Sequence, residues 1–229
     1  SEAKSGFNPL PNVPAELNAI VRQSPSDPQG IYPGLELLNQ AFDRKALRDN
    51  LASHRILHIA THGEFVPGNA YASYLLLGDG NKLPIPDIQE LRDLNKIHLV
   101  VLSACQTALG ETGQDGSEIA GLSYYFLEKG AKAVMASLWQ VNDESTRLLM
   151  EQFYSNLAKG TTYSPITKAQ ALRQAQLNLL QSDRATPANT NSRSLAPQSR
   201  LGARTTTSTT PEFSHPYYWA PFILIGNSL

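Results

Sequence analysis

Three stretches of the chain are apolar almost without interruption: Ile56–Thr61 within RILHIATHGEF, His98–Ser103 leading into LVVLSACQTALG, and Ala131–Leu138. Short runs of this kind, closed by glycine or small residues, predict strands covered by helices on both faces, as in a parallel sheet. Between and after them the apolar period lengthens to that of a helix. Asp43 is a candidate N-cap for a helix with Leu47 and Leu51 inward. Asp115 and Glu118 stand at capping-box spacing before Ile119, Leu122 and Phe126, and Gly130 is placed to end that helix. Asn142 or Asp143 caps a stripe of Leu149, Met150, Phe153, Tyr154 and Leu157, and Ser164 is the expected cap of a helix running to about Leu180.

The weaker signals fill in the rest. Residues 1–13 read as extended, and Pro14 suits a first helical turn with Leu17, Ile20 and Val21 inward. Residues 24–34 form a Pro- and Gly-punctuated loop, followed by an expected brief strand at 35–38. Tyr74–Leu77 reads as a strand closed by the turn sequence GDGN, Pro86 as the start of a short helix, and Phe222–Ile225 as a last strand. Strands alternating with helices predict an α/β fold with a mostly parallel central sheet between helical layers. Residues 182–212 change character to Ser, Thr, Asn, Pro, Ala and Arg, a composition that cannot bury enough surface to offset its ordering entropy, so a mobile insertion is expected there. The expected organisation is therefore an extended leading segment with a short helix at 1–34 and one domain over 35–229.

Composition narrows the function classes. The 229 residues carry a formal net charge of −1, which supplies no overall field for a nucleic acid or an acidic membrane. One cysteine excludes an internal disulfide and points to a reducing compartment, and the first residues lack the basic and apolar regions of a secretory signal. A cytoplasmic protein is expected, with no apolar run near the roughly 18 residues of a membrane helix.

The candidate chemistry sits at two strand ends. His62-Gly63 closes one apolar run and Cys105 the other, and an imidazole near a thiol makes a thiolate nucleophile. Glycine after the histidine lets backbone approach a bound carbonyl, and the amides of Gly63 and Cys105 are candidate oxyanion donors. On residue chemistry alone, a single buried cysteine is more often a small hydrophobe. His58 and His62 lie four positions apart, roughly 13 Å along a strand and too far for one metal ion, so His58 is expected in the core and no metal or cofactor is called for. His54 and His98 are expected to be solvated or locally bonded, and His215 to be structural. Trp139 and the Tyr217-Tyr218-Trp219 cluster are candidate cleft walls, although aromatic residues beside a terminal strand are more often core. P-loop, GxSxG and CxxC patterns are absent.

At HIATHGEF and VVLSACQTALG the chain resembles a CHAT domain, a caspase-like cysteine peptidase domain related to separase. The resemblance continues through GLSYYFLEKGAKAVMASLWQVND, AQALRQAQLNLL and HPYYWAPFILIG, covering residues 35–181 and 213–229. It implies a caspase-type α/β/α sandwich, with His62 as general base and Cys105 as nucleophile. It also implies a place for Asp143, in LWQVND, as the floor of a pocket for a substrate Arg or Lys, where a carboxylate would pair bidentately with guanidinium. Capping of a helix is the competing role for Asp143.

Two departures stand beside the resemblance. Where the family usually reads Ala-Cys-Glu-Thr, this chain has Gln106, which removes a charge beside the nucleophile and enters the substrate-contact set with Asp143 and Trp139. The degenerate upstream half and the preceding TPR repeats common in the family are not seen, so the resemblance is to the catalytic half. The expected function is a cysteine endopeptidase cutting protein or peptide substrates after Arg or Lys, with a TPR-containing or upstream caspase-like segment of the same polypeptide as partner. The alternative is a catalytically silent interaction domain. Arg184, Arg193, Arg200 and Arg204 mark the 182–212 insertion as a candidate autoprocessing or gating loop.

Overall fold

The computed structural model describes residues 6–66, 68–106, 117–139, 141–182 and 213–229, without the side chains of residues 104–106 and 117–120. Residues 183–212 of the expected insertion with its four arginines, Asp115, and the side chain of Glu118 lie outside this set. Helix α1 (Val13–Ile20) carries Pro14 in its first turn, where a missing N–H removes no helical bond, and buries Val13, Leu17, Ile20 and also Glu16. Two short parallel strands follow, β1 (Val21–Arg22) and β2 (Tyr32–Pro33). The strand expected at 35–38 does not form. Tyr32–Pro33 takes the available length of β1 instead, Leu35 is 50% exposed, and the chain passes into a 3-10 turn at Asn39–Ala41. Helix α2 (Arg44–Asn50) is capped as expected, with the Ala46 N–H donating to Asp43 Oδ1 at 2.6 Å.

The described residues then build a six-stranded sheet. In chain order it uses β3 (Ile56–Val66), β4 (Asn69–Leu76), β5 (Lys82–Pro84), β6 (Leu99–Gln106), β7 (Ala133–Ser137) and β8 (Phe222–Gly226), arranged in space as β5-β4-β3-β6-β7-β8. The three apolar runs of the sequence, β3, β6 and β7, are the parallel centre. β4 turns straight back from β3, β5 from β4 through the expected GDGN turn, and β8 pairs antiparallel to β7, so the sheet is mixed at its flanks.

Helices cover both faces. α3 (Ser117–Glu128) crosses from β6 to β7 and stops at Gly130, whose φ of +99° is left-handed. Its Leu122 and Phe126 pack with Val100, Leu102 and Val134 on one face of the sheet. Residues alternating with these, Leu99, Val101 and Met135, pack on the other face against α4 (Asp143–Ala158) and α5 (Lys168–Leu180). This is a caspase-like α/β arrangement. Asn142 caps α4, accepting from Glu144 N–H at 3.1 Å and Ser145 N–H at 3.0 Å. The cap of α5 is Thr167, not Ser164. Thr167 and Gln170 bond reciprocally, Gln170 N–H to Thr167 Oγ1 at 3.1 Å and Thr167 N–H to Gln170 Oε1 at 2.9 Å, whereas Ser164 closes a turn with Thr161. Among the described residues no helix is long and apolar enough to cross a membrane.

Candidate active site

β3 and β6 run parallel in an unbroken register from Ile56↔Leu99 to Gly63↔Gln106, which makes His62 and Cys105 direct partners at the carboxyl ends of neighbouring strands. Adjacent strands lie about 4.8 Å apart. His62 has the parity of His58 and Ala60 along β3, and Cys105 that of Leu99, Val101 and Ser103 along β6, so both positions belong to the α4 side of the sheet. The next parallel strand, β7, delivers Asp143 to the same edge as the first residue of α4. Three neighbouring strands thus bring three candidate residues to the crevice beyond their carboxyl ends, where open α/β sheets place ligands. The side chains of Cys105 and Gln106 lie outside the described set.

His62 is held from an unexpected direction. The Phe7 ring stacks on its imidazole, centroids 4.8 Å apart and planes 20° from parallel. Its Nε2 lies 2.8 Å from the Asn8 carbonyl oxygen. A carbonyl only accepts, so Nε2 is the donor and carries hydrogen. In a neutral ring Nδ1 then keeps the lone pair, and Nδ1 is buried without a hydrogen-bond partner among the described residues. The free basic atom of this histidine is therefore Nδ1.

Gly63 stands between two partners, in register with Gln106 on β6 and Leu75 on β4. A Cβ there would meet the Phe65 ring at 3.0 Å and the Tyr74 carbonyl at 3.3 Å, so a larger residue fits at this point only if those neighbours shift.

Asp143 does not cap α4, a task Asn142 performs. Its Oδ2 instead accepts two hydrogen bonds from Asn12, one from the backbone N–H and one from Nδ2, each 2.9 Å. Trp139 Nε1 donates to the Tyr217 carbonyl at 3.1 Å, tying the end of β7 to the aromatic turn at Pro216–Tyr218. His215 caps that turn through Nδ1, which accepts from the Tyr217 N–H at 3.2 Å, and His54 Nδ1 bonds locally to the Asn50 carbonyl at 2.7 Å. Both hold local structure, as their sequence positions suggest.

His58 is the packing residue expected, in a cluster that sequence reasoning missed. Its Nδ1 is 3.0 Å from the Tyr154 hydroxyl and its Nε2 is 2.9 Å from Glu16 Oε1, close but not aligned as a hydrogen bond. Glu16 is 1% exposed and Tyr154 1%. Burial pushes the Tyr154 phenol well above its usual range, and the nearby Glu16 carboxylate and Tyr32 add to the shift. The one local sign of Glu16 is its place inside the Val13, Leu17, Ile20 stripe. Between α1, residues 32–39 and the β3 face lies a largely apolar cavity of about 390 Å³, with His58, His62 and Tyr154 in its wall. Among the described residues no three of His, Cys, Asp and Glu are grouped to hold a metal ion.

The CHAT domain family model matches residues 1–227. Over 141 residues, 61% of the chain, it is 30% identical to Tetratricopeptide repeat protein 28 of Mus musculus. Over 133 residues, 58% of the chain, it is 29% identical to the Homo sapiens protein of the same name. The matched part amounts to 4% of the length of each relative. A family match along nearly the whole chain accounts for both strand-end blocks and for the sheet that sets them side by side: the chain belongs to the CHAT domain family of caspase-like proteins.

Proposed function

We propose that this domain is a cysteine endopeptidase that cuts protein or peptide chains after Arg or Lys. The observation that carries the reading is the β3–β6 register, with His62 opposite Cys105 at the carboxyl ends of parallel strands. His62 Nδ1 takes the Cys105 thiol proton, and the thiolate sulfur adds to the carbonyl carbon of the scissile peptide bond. The resulting oxyanion is stabilised by the amides of Gly63 and Cys105. As the C–N bond breaks, the imidazolium returns its proton to the leaving amine, and a thioester remains. Water, deprotonated by His62, then hydrolyses the thioester and restores the thiol. Asp143 attracts the basic side chain, while Trp139 and Gln106 border the cleft. No cofactor enters the scheme, and the single cysteine favours a cytoplasmic setting. The names of the relatives support a TPR-associated context, and a helical repeat array or an upstream caspase-like segment of the same polypeptide is the partner this reading expects.

A second reading, a catalytically silent interaction domain, is favoured by one observation: His62 and Asp143 are both bonded to the chain's own residues 8–12. Purified protein and its Cys105→Ala variant, given an irreversible thiol probe and peptides differing only at the residue before the scissile bond, separate the two. The endopeptidase reading expects Cys105 to react faster than free cysteine, and Arg and Lys peptides to be cut by the parent protein alone. A thiol no more reactive than free cysteine, with no peptide cut, would leave the binding reading in its place.

A further inference from the structure

The segment ahead of α1 touches both ends of the candidate site. Asn8 accepts from His62 Nε2 across a separation of 54 positions, and Asn12 donates to Asp143 across 131. Between those contacts Leu10 is buried and packs with Val13, Leu17 and Ala60. Strand β6, which carries Cys105, lies between β3 and β7, so the segment links the two strand ends that flank the cysteine.

Asn12 occupies the N-cap position of α1, where asparagine ordinarily turns its side-chain oxygen onto first-turn N–H groups. Here it makes no such bond. Its Nδ2 and its backbone N–H both go to Asp143 Oδ2. A helix that only had to begin would use the cap; the side chain is committed instead to a carboxylate on a distant element. Asn8 lies in no helix or strand, so the place of its carbonyl is set by what pins the segment on either side: Phe7 on the imidazole, Leu10 in the core, and Asn12 on Asp143.

We propose that Asn12 is a positioning residue for His62. Clasped by Asp143, it fixes the segment so that the Asn8 carbonyl holds Nε2–H and leaves Nδ1 as the base. Asp143 then serves the base as well as the substrate. The kinetic consequence rests on the endopeptidase reading; the structural one does not.

The full chain with ¹⁵N-labelled histidine, in a Cys105→Ala background at pH 8, reports through long-range ¹H–¹⁵N correlations which imidazole nitrogen carries hydrogen. Nε2–H is expected for His62. Asn12→Ser keeps a good N-cap for α1 while losing the second donor to Asp143, and Asn12→Asp sets a like charge against it. Both are expected to shift His62 toward a mixture of tautomers. With Cys105 intact, both are expected to lower kcat on an Arg peptide roughly tenfold, the pattern of a misplaced group, while a change in KM reports the altered Asp143 Oδ2. Unchanged His62 resonances in both variants overturn the proposal, whatever the turnover. Loss of the Nε2–H state in protein that cuts no peptide sustains the positioning role and removes the endopeptidase reading instead.

Discussion

Tyr154 offers a direct thermodynamic test of the buried cluster. Its hydroxyl is enclosed between α1, β3 and α4, bonded to His58, and faces the Glu16 carboxylate beyond. A phenolate there would lose its hydration and stand near another anion, which is why burial, then Glu16, holds the phenol protonated far above its ordinary 10.0. Between about pH 10 and the folded-state value, the unfolded chain releases a proton that the native state keeps. The native state then binds more protons, so unfolding free energy falls as pH rises, by up to about 1.4 kcal/mol per pH unit for this one group. Tyr32 and Tyr74, also raised mainly by burial, add to the loss, whereas Lys168, lowered by burial, opposes it. All three are shared by Tyr154→Phe, so the difference between the two proteins isolates Tyr154. Urea titrations at steps from pH 8 to pH 11.5 measure it. At pH 8 the variant is expected to be less stable by about 1–2 kcal/mol, because His58 Nδ1 loses that partner. The gap should close above pH 10 and then reverse, as only the parent protein suffers the part of the alkaline loss that Tyr154 causes. Curves that stay parallel through pH 11.5 would refute the placement of Tyr154 in a closed, anion-facing site.

Two further expectations follow from the geometry of the site. Asp143 Oδ2 already accepts two N–H bonds, so on the endopeptidase reading only Oδ1 remains for a substrate cation and guanidinium finds no bidentate seat; kcat/KM for matched Arg and Lys peptides should then agree within about tenfold, and a much larger Arg preference would mean that the clasp opens on binding. Gly63→Ala should destabilise the domain by about 1–2 kcal/mol, since its Cβ would press on the Phe65 ring at 3.0 Å; an unchanged thermal midpoint would show that the ring yields freely and that packing does not require glycine there.

What the sequence could announce was whatever it encodes locally. β6 and β7 are readable because a strand buried on both faces has nowhere to put polar residues, β3 because only His58 breaks its apolar run from Ile56 to Ala60, and the Asp43 cap and Gly130 stop are decided within a turn of the chain. The fold departs from the local pattern at two places. Ser164-Pro165 resembles a helix start, yet Thr167 and Gln170 satisfy each other's backbone donors, and that reciprocal pair wins. The stretch at 35–38 is apolar enough for a strand but pairs with none of the described strands, and pairing, not composition, makes a strand.

The candidate site divides along the same line. Its centre was legible: two strand ends carrying His62 and Cys105, juxtaposed by a parallel pairing that a βαβ-like order of elements implies. Its surroundings were not, because they come from residues 7–12, which carry no period and no catalytic motif and read as an extended, proline-bearing stretch. Those residues acquire a role only through partners far along the chain, and nothing local to Asn8 distinguishes a carbonyl that meets water from one that meets an imidazole. Glu16 is the same case inside a helix: its charge argues for the surface, and only His58 and Tyr154, on two other elements, make burial tolerable. A strand-end motif can thus nominate a base and a nucleophile, but the nitrogen on which His62 carries hydrogen is set by backbone outside the motif. A Cys–His pair transplanted without that segment would keep both residues and lose the carbonyl that sorts their protons.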